Sequence, residues 1–302
     1  MSYLLQDILT SIKYRSTIIR YYIFFPILYL FWKFPKAETI EETLEKLKEE
    51  KYSISRFGDG ELDIMWGATE GFQKADRNLG YRLKEILNSN EPNILIGIAD
   101  FYHKNSNNRE KQNSFAKQFC IKNLPKIIRT FKRKEFANAY ISRPITTYKN
   151  IDANEVFEQI KKIWEKKDLY VVEGDKCRCG IGNDLFALCK SVKRIICPSE
   201  NAYDKYQDIL SKCKELIPKE AVVYLALGPT ASILAYDLGK EGYKALDLGH
   251  LDIEYEYMKH GAIDGQRIKI PGKYVNEIAN GSKVDDSIIN EAYINSIICK
   301  IN

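Results

Sequence analysis

At 302 residues, with 45% hydrophobic and 29% charged side chains, the chain carries enough apolar material for a full core, which excludes an intrinsically disordered polyelectrolyte. The net charge of +5 is mild and comes without zinc-finger spacing or an arginine-rich arm, which disfavours a nucleic-acid binder. Seven cysteines, an odd number with no framework spacing, exclude a disulfide scaffold and point to reduced thiols in a cytoplasmic protein; Cys177 and Cys179 lack the second pair that a zinc site needs.

Residues 1–36 stand apart from 37–302. The stretch 21–32 is an aromatic and aliphatic run, flanked by Lys13, Arg15 and Arg20 before it and by Lys33 and Lys36 after it. A helix needs about 20 apolar residues to span a bilayer, so this run is too short, and Pro26 interrupts it. No small-residue cleavage site follows, which disfavours a signal peptide. The composition is that of a hydrophobic helical extension lying on a membrane surface. Docking on the protein's own core or on a partner subunit would use the same residues.

From residue 37 the pattern alternates. A charged helix is expected over 41–50, with Leu44 and Leu47 on one side, then a short strand over 52–55 and a helix starting near Leu62. Helix follows over 81–87, strand over 93–99 and helix over 113–134. That last helix ends in a basic cluster, Lys126, Arg129, Lys132, Arg133 and Lys134. Such a cluster suits nucleic acid, anionic lipid or a phosphorylated substrate, and equally the solvated face of a helix. A strand is expected over 139–142, stopped by Arg143-Pro144, then a helix over 156–166 and strands over 169–174 and 194–198. The clearest unit is strand 221–227, the turn Gly228-Pro229-Thr230, helix 231–240 and strand 243–248, a βαβ crossover. The repeated alternation predicts an α/β fold, a mostly parallel sheet flanked by helices, with 37–302 as one domain.

Polar, glycine-rich segments follow the strands. In Arg56-Phe57-Gly58-Asp59-Gly60-Glu61, two glycines allow close approach, Asp59 and Glu61 offer hard oxygen ligands to Mn²⁺ or Mg²⁺, and Arg56 suits a phosphate. Turn and cap chemistry uses the same residue types. The second segment, 173–184, includes Arg178 and a partial dinucleotide fingerprint, Gly180-Ile181-Gly182-Asn183. The third is Gly228-Pro229-Thr230 at a helix N-terminus, a natural anion site. In the fourth, 249–256, His250, Asp252, Glu254 and Glu256 share one face if the segment is a strand, and a general base for an acceptor hydroxyl is sought there. A capping or core-edge histidine is the plainer alternative. Ligands of open α/β sheets bind at the carboxyl ends of strands, so the four segments are expected to line one cleft. Arg56, Phe57, Gly58, Arg178, Asn183, Gly228, Pro229 and Thr230 are then the candidates for contact with a ligand in it. A Walker sequence and Gly-x-Ser-x-Gly are both absent, which disfavours a P-loop enzyme and one class of hydrolase.

Four motifs in order, 56–61, 180–186, 226–231 and 247–256, resemble those of the GT-D-fold glycosyltransferases, bacterial sugar transferases with a Rossmann-like domain and an Asp-x-Glu metal motif. The resemblance runs from about Ser55 to about Ile270. It implies transfer of a sugar from a nucleotide donor, a UDP-sugar by expectation, to a glycan acceptor, with Asp59 and Glu61 at the divalent metal. Asp252 or Glu254, with His250 beside them, would activate the acceptor. One departure is Glu173-Gly174-Asp175 followed by Cys177-Arg178, where the family pattern is Glu-Gly-Glu followed by Ser-Arg. Bacterial surface glycans are often built on lipid carriers at the cytoplasmic face of the membrane, where the 21–32 run would hold the enzyme peripherally. Two other functions use the same parts: a metal-dependent nucleotidyl or phosphoryl transferase, and a non-catalytic nucleotide-binding module on a membrane.

Overall fold

The structure, a computed structural model, describes residues 32–101, 103, 106–262, 265–275, 286 and 288–302. Most of the predicted N-terminal extension, 1–31, lies outside the described residues. Among the described residues, no helix is long and apolar enough to cross a membrane.

The chain runs β1 (Lys36–Ala37), α1 (Ile40–Lys48), β2 (Ser53–Phe57), α2 (Asp59–Met65), α3 (Arg77–Leu87), β3 (Ile94–Ile98), α4 (Glu110–Thr130) and β4 (Glu135–Asn138). It continues through α5 (Pro144–Thr147), α6 (Ala153–Ile163), β5 (Asp168–Gly174), β6 (Ser191–Cys197), α7 (Tyr206–Leu216) and β7 (Val222–Ala226). The last elements are α8 (Pro229–Lys240), β8 (Lys244–Asp247), α9 (Leu251–Lys259), α10 (Glu291–Ser296) and β9 (Ile297–Lys300). Among the described residues the strands form one nine-stranded sheet in the order β1-β4-β3-β2-β8-β7-β5-β6-β9. Every pairing in it is parallel.

Helices cover both faces. On one, α3, α4, α7 and α8 pack through residues such as Leu83, Phe119, Ile209 and Ile233. On the other, α1, α6 and α9 pack through Leu44, Phe157 and Tyr257. The strands feed both layers alternately: Leu169 and Val171 of β5 face the second, Tyr170 and Val172 the first. Local sequence sets the helix starts. Thr39 and Glu42 form a reciprocal capping box on α1, with bonds of 2.8 and 3.1 Å. Asp76 caps α3 by accepting from Leu79 N at 2.8 Å.

One expected strand is displaced and two strands are added. The segment 139–142 is a 3₁₀ turn, and the strand lies just before it, at β4. The Asn138 side chain accepts from Tyr140 N at 2.8 Å and turns the chain out of the sheet. The edge strands β1 and β9 were not expected, being too short to show a period.

The junction of β2 with β8 organises the centre. Ladder pairing there is confined to one position, Ile54 opposite Leu246. Side chains supply the rest. The Ser53 hydroxyl donates to Tyr243 O at 2.8 Å and accepts from Ala245 N at 2.9 Å, taking the place of a ladder partner. The Ser55 hydroxyl donates to Ser232 O at 2.7 Å and so binds β2 to α8. Ser53→Ala is expected to cost about 1–3 kcal/mol, because it leaves a buried donor and acceptor unpaired. Urea unfolding measures this, and a loss below about 0.5 kcal/mol would show that the junction is held elsewhere.

Candidate functional site

The central strands end at one cavity of about 460 Å³, within the range of small-molecule sites. Its lining includes residues from all four predicted segments: Asp59 and Glu61, Gly174 and Cys177, Gly228, and His250 with Asp252. The expectation of a shared cleft holds. A second cavity, of about 290 Å³, lies at the opposite ends of the strands. Lys244 there donates to Leu47 O at 2.7 Å and Glu49 O at 2.8 Å, closing the C-terminus of α1, a structural duty.

Asp59 and Glu61 lie in the first turn of α2, not in a loop, because the helix starts at Asp59 rather than near Leu62. Gly58 is its N-cap, and Gly58 N donates to Glu61 Oε2 at 2.7 Å. Asp59 is exposed; Glu61 is half-buried at the cavity floor. Burial pushes the Glu61 carboxyl up to about 7, helped by the Asp247 and Asp59 charges and opposed by the Gly58 N–H. Burial and the charge of Asp59 also raise Glu70 and Asp63 nearby. This crowd of carboxylates fits a hard divalent cation. Among the described residues, no three His, Cys, Asp or Glu side chains form a ready-made cage. A Mg²⁺-type site needs only one or two protein carboxylates, the rest of the shell coming from phosphate oxygens and water.

The candidates for ligand contact divide. Gly228, the N-cap of α8, lines the cavity at φ +53°, and a Cβ there would meet Phe72 at 2.2 Å. Pro229 opens the helix and Thr230 follows, fully buried; its hydroxyl finds no partner among the described residues. Arg56 lines the cavity, but its guanidinium is committed to Asp247 at 3.1 Å and Ala139 O at 3.2 Å, and to Ser142, so it is a brace before it is an anion receptor. Phe57 is 1% exposed, packs in the core and is absent from the cavity lining, because the β2 alternation turns it inward. Arg178 and Asn183 are also absent from the lining. Arg178 is buried and reaches Gly272 O at 3.2 Å and Asp286 Oδ1 at 2.5 Å. Asn183 donates to Asp252 Oδ1 at 2.9 Å and to Glu256 Oε1 at 2.7 Å. Both anchor the 177–184 loop to later parts of the chain.

The segment 249–256, whose acids would share a face with His250 as a strand, is the helix α9 with His250 at its N-cap, so Asp252 and Glu256 turn to the side opposite His250 and only Glu254, one turn on, stays on its side. His250 stays in the cavity lining. Asp252 also lines it, but is 1% exposed, and its carboxylate accepts from Gly180 N at 2.8 Å, Asn183 and Lys273 Nζ at 2.7 Å. Glu254 lies outside the lining; it accepts from Ile145 N at 2.8 Å and from Thr146 N at 3.0 Å and Oγ1 at 2.5 Å. Both acids are therefore occupied as braces, Asp252 to a lysine that is itself 2% exposed. Glu173 is likewise buried, paired with Arg194 at 2.5 Å. Burial pushes the Cys177 thiol up to about 12, and all seven cysteines are unbonded.

Sequence reasoning missed one wall of the cavity. Phe101, Phe115 and Tyr140 give it aromatic surface, and Lys111, Arg143 and Arg267 give it positive charge. Arg143 was read only as the end of a strand. Lys111 and Phe115 sit on the first turns of α4, whose start was placed three residues late at 113 rather than at Glu110.

A family model described as Glycosyltransferase GT-D fold matches residues 54–278. The probable glycosyl transferase Gly of Streptococcus gordonii is 37% identical over 242 residues, covering 79% of this chain and 35% of the relative. Glycosyltransferase GlyD of Streptococcus pneumoniae serotype 4 is 31% identical over 272 residues, covering 88% of this chain and 32% of the relative. The chain thus spans about a third of the length of these curated relatives. A solved structure of domain of unknown function 1792, described as a distinct glycosyltransferase fold, superposes with a TM-score of 0.82 at 32% identity, over 89% of this chain and 96% of that one. A structure described as a new glycosyltransferase from Streptococcus sanguinis gives 0.82 at 33% identity, over 89% of this chain and 100% of that one.

Glu61 makes stability depend on pH in a defined direction. Its folded-state value, about 7, lies above the ordinary 4.5, so folding is favoured by protonation below 4.5 and that advantage is lost as pH rises through 7. Glu61→Gln keeps an acceptor for Gly58 N without the charge. Without divalent cations, the variant is expected to melt higher than wild type at about pH 8, with the gap closing toward about pH 4.5. Thermal melts across that range measure it; a gap independent of pH would refute the cause given.

Proposed function

Because the chain belongs to the GT-D-fold glycosyltransferase family, we propose that it moves a sugar from a UDP-sugar to a bacterial surface glycan, polysaccharide or glycoprotein, with a divalent cation, Mn²⁺ or Mg²⁺, held by Asp59 and Glu61. The observation that carries this reading is the placement of Asp59, Glu61 and the N-terminus of α8 around one cavity. The cation would neutralise the leaving diphosphate when bound. The positive end of α8 at Gly228 gives a second, metal-free site for phosphate oxygens. Lys111, Arg143 and Arg267 add positive charge to the same space, and the aromatic wall of Phe101, Phe115 and Tyr140 offers flat apolar surface to a sugar or a base.

His250, which lines the cavity at the N-cap of α9, is the side chain assigned to take the acceptor hydroxyl's proton. Asp252 and Glu254 then act at one remove, holding α9 and with it His250 in place. The acceptor is proposed to be membrane-borne, lipid-linked at the cytoplasmic face, on the strength of the 21–32 run and the unbonded cysteines. The assignment concerns the matched unit, not the remaining length of the curated relatives.

Asp59→Ala with Glu61→Ala is expected to lower UDP release from a UDP-sugar with Mn²⁺ by about 10²- to 10³-fold, with the fold retained by thermal melting. Unchanged consumption of the sugar nucleotide would defeat the metal assignment. Release of pyrophosphate or ADP in place of UDP would favour the nucleotidyl or phosphoryl transfer reading. Separately, His250→Asn is expected to lower kcat by about 10²-fold or more and to flatten the acidic limb of its pH profile. A loss confined to KM would assign His250 to binding.

A further inference from the structure

The outer face of α4 joins the cavity to the entry of the N-terminal segment. Residues 111–134 hold eight Lys or Arg and no Asp or Glu. At about 100° per residue, Lys111, Lys122, Lys126 and Arg129 fall within about 60° of one another around α4, and Phe115 lies in the same stripe. All four cations are exposed, and Phe115 is 43% exposed. Lys111 and Phe115 begin the stripe at the lip of the cavity. Along a helix of 21 residues, about 30 Å, it reaches Lys132, Arg133 and Lys134. There Lys134 Nζ sits 4.0 Å over the ring of Trp32, the last residue of the aromatic run that precedes the sheet. Glu135 follows, and pairs with Lys33 at 4.0 Å.

We propose that this face of α4 lies on an anionic lipid bilayer. The charge pattern suits any polyanion, but two features favour lipid over nucleic acid or an acidic glycan. An exposed phenylalanine interrupts the basic stripe, as in interfacial helices that insert apolar side chains between headgroups. The far end of the stripe meets Trp32, which in sequence closes a run of Tyr, Phe, Leu, Ile and Trp flanked by basic residues, the composition of a membrane-interface segment. With α4 along the bilayer, the cavity mouth at Lys111 and Phe115 opens at the lipid surface. A lipid-borne acceptor is then presented from the side of the aromatic wall. This rests on the membrane-borne acceptor proposed above, not on the identity of the donor.

The test uses the full chain and a variant with Lys122→Glu, Arg129→Glu and Lys132→Glu, all exposed and outside the cavity lining. Co-sedimentation is measured with phosphatidylcholine vesicles, with and without about 30% phosphatidylglycerol. Each basic residue near an anionic surface strengthens binding roughly five-fold, so wild type should prefer the anionic vesicles and the variant should lose at least about 100-fold. UDP release from a soluble donor and the melting temperature should be unchanged. If the charge reversals lower the melting temperature, the three Gln substitutions replace them, with a loss of about 100-fold still expected. Equal partitioning of wild type and variant would overturn the proposal, as would equal binding of wild type to neutral vesicles. Displacement from anionic vesicles by RNA or heparin at lower concentration than by added lipid would assign the face to another polyanion. Absence of UDP release in both forms, with the vesicle difference intact, would defeat the donor assignment and leave this surface standing.

Discussion

The centre of this protein depends on Arg56 and Asp247, which tie β2 to β8 where the ladder between them is shortest. Asp247 accepts from Arg56 N at 3.0 Å and from its guanidinium at 3.1 Å, and Arg56 Nε also donates to the Asp247 carbonyl. The same guanidinium reaches Ala139 and Ser142 beyond β4, so one side chain connects three strand ends. Arg56 keeps only 12% of its side chain exposed and Asp247 6%, so neither charge is tolerable without the other. Once paired, they let β2 and β8 remain adjacent with a single ladder position, and the cavity occupies the space beyond their carboxyl ends.

That brace explains the electrostatics of the floor. Asp247 is neutralised by Arg56 on one side and still raises Glu61 on the other. Glu61 is pinned by the Gly58 N–H and cannot swing away to water without losing the helix cap. The result is a carboxyl poised near neutrality beside an exposed Asp59. A second brace holds the opposite side. Lys273, 2% exposed, bridges Asp252 at 2.7 Å and Glu256 at 2.9 Å, and thereby fastens the 265–275 segment against α9, with Arg267 and Tyr274 of that segment in the cavity lining.

Much of this was legible in residues 56–61 and 221–248. Glycine after an apolar run marks a strand end, and the carboxylates beside it sit on the cavity because the strand ends there. The βαβ unit was legible because its period changes from strand to helix and back across Gly228. The roles of Asp252 and Glu254 were not. Their spacing of two suits a strand face, and only the backbone conformation of α9 shows that they point apart, one to Lys273 and one to Thr146. Phe57 and Asn183 were misplaced for a similar reason: belonging to a ligand-binding motif does not fix which way a side chain turns.

The sequence by itself determined the α/β alternation, the parallel sheet, the family resemblance and the Asp59–Glu61 pair, because each rests on neighbours within a few residues. Only the tertiary structure decided which polar groups face the cavity and which hold it together. Arg56, Arg178, Asp252 and Glu254 have partners between 72 and 191 residues away in the chain, and a buried charge takes its role from the partner that neutralises it. No local pattern encodes that partner. The aromatic wall of Phe101, Phe115 and Tyr140 was hidden for the same reason, since packing of α4 and the 139–142 turn beside β3 creates it.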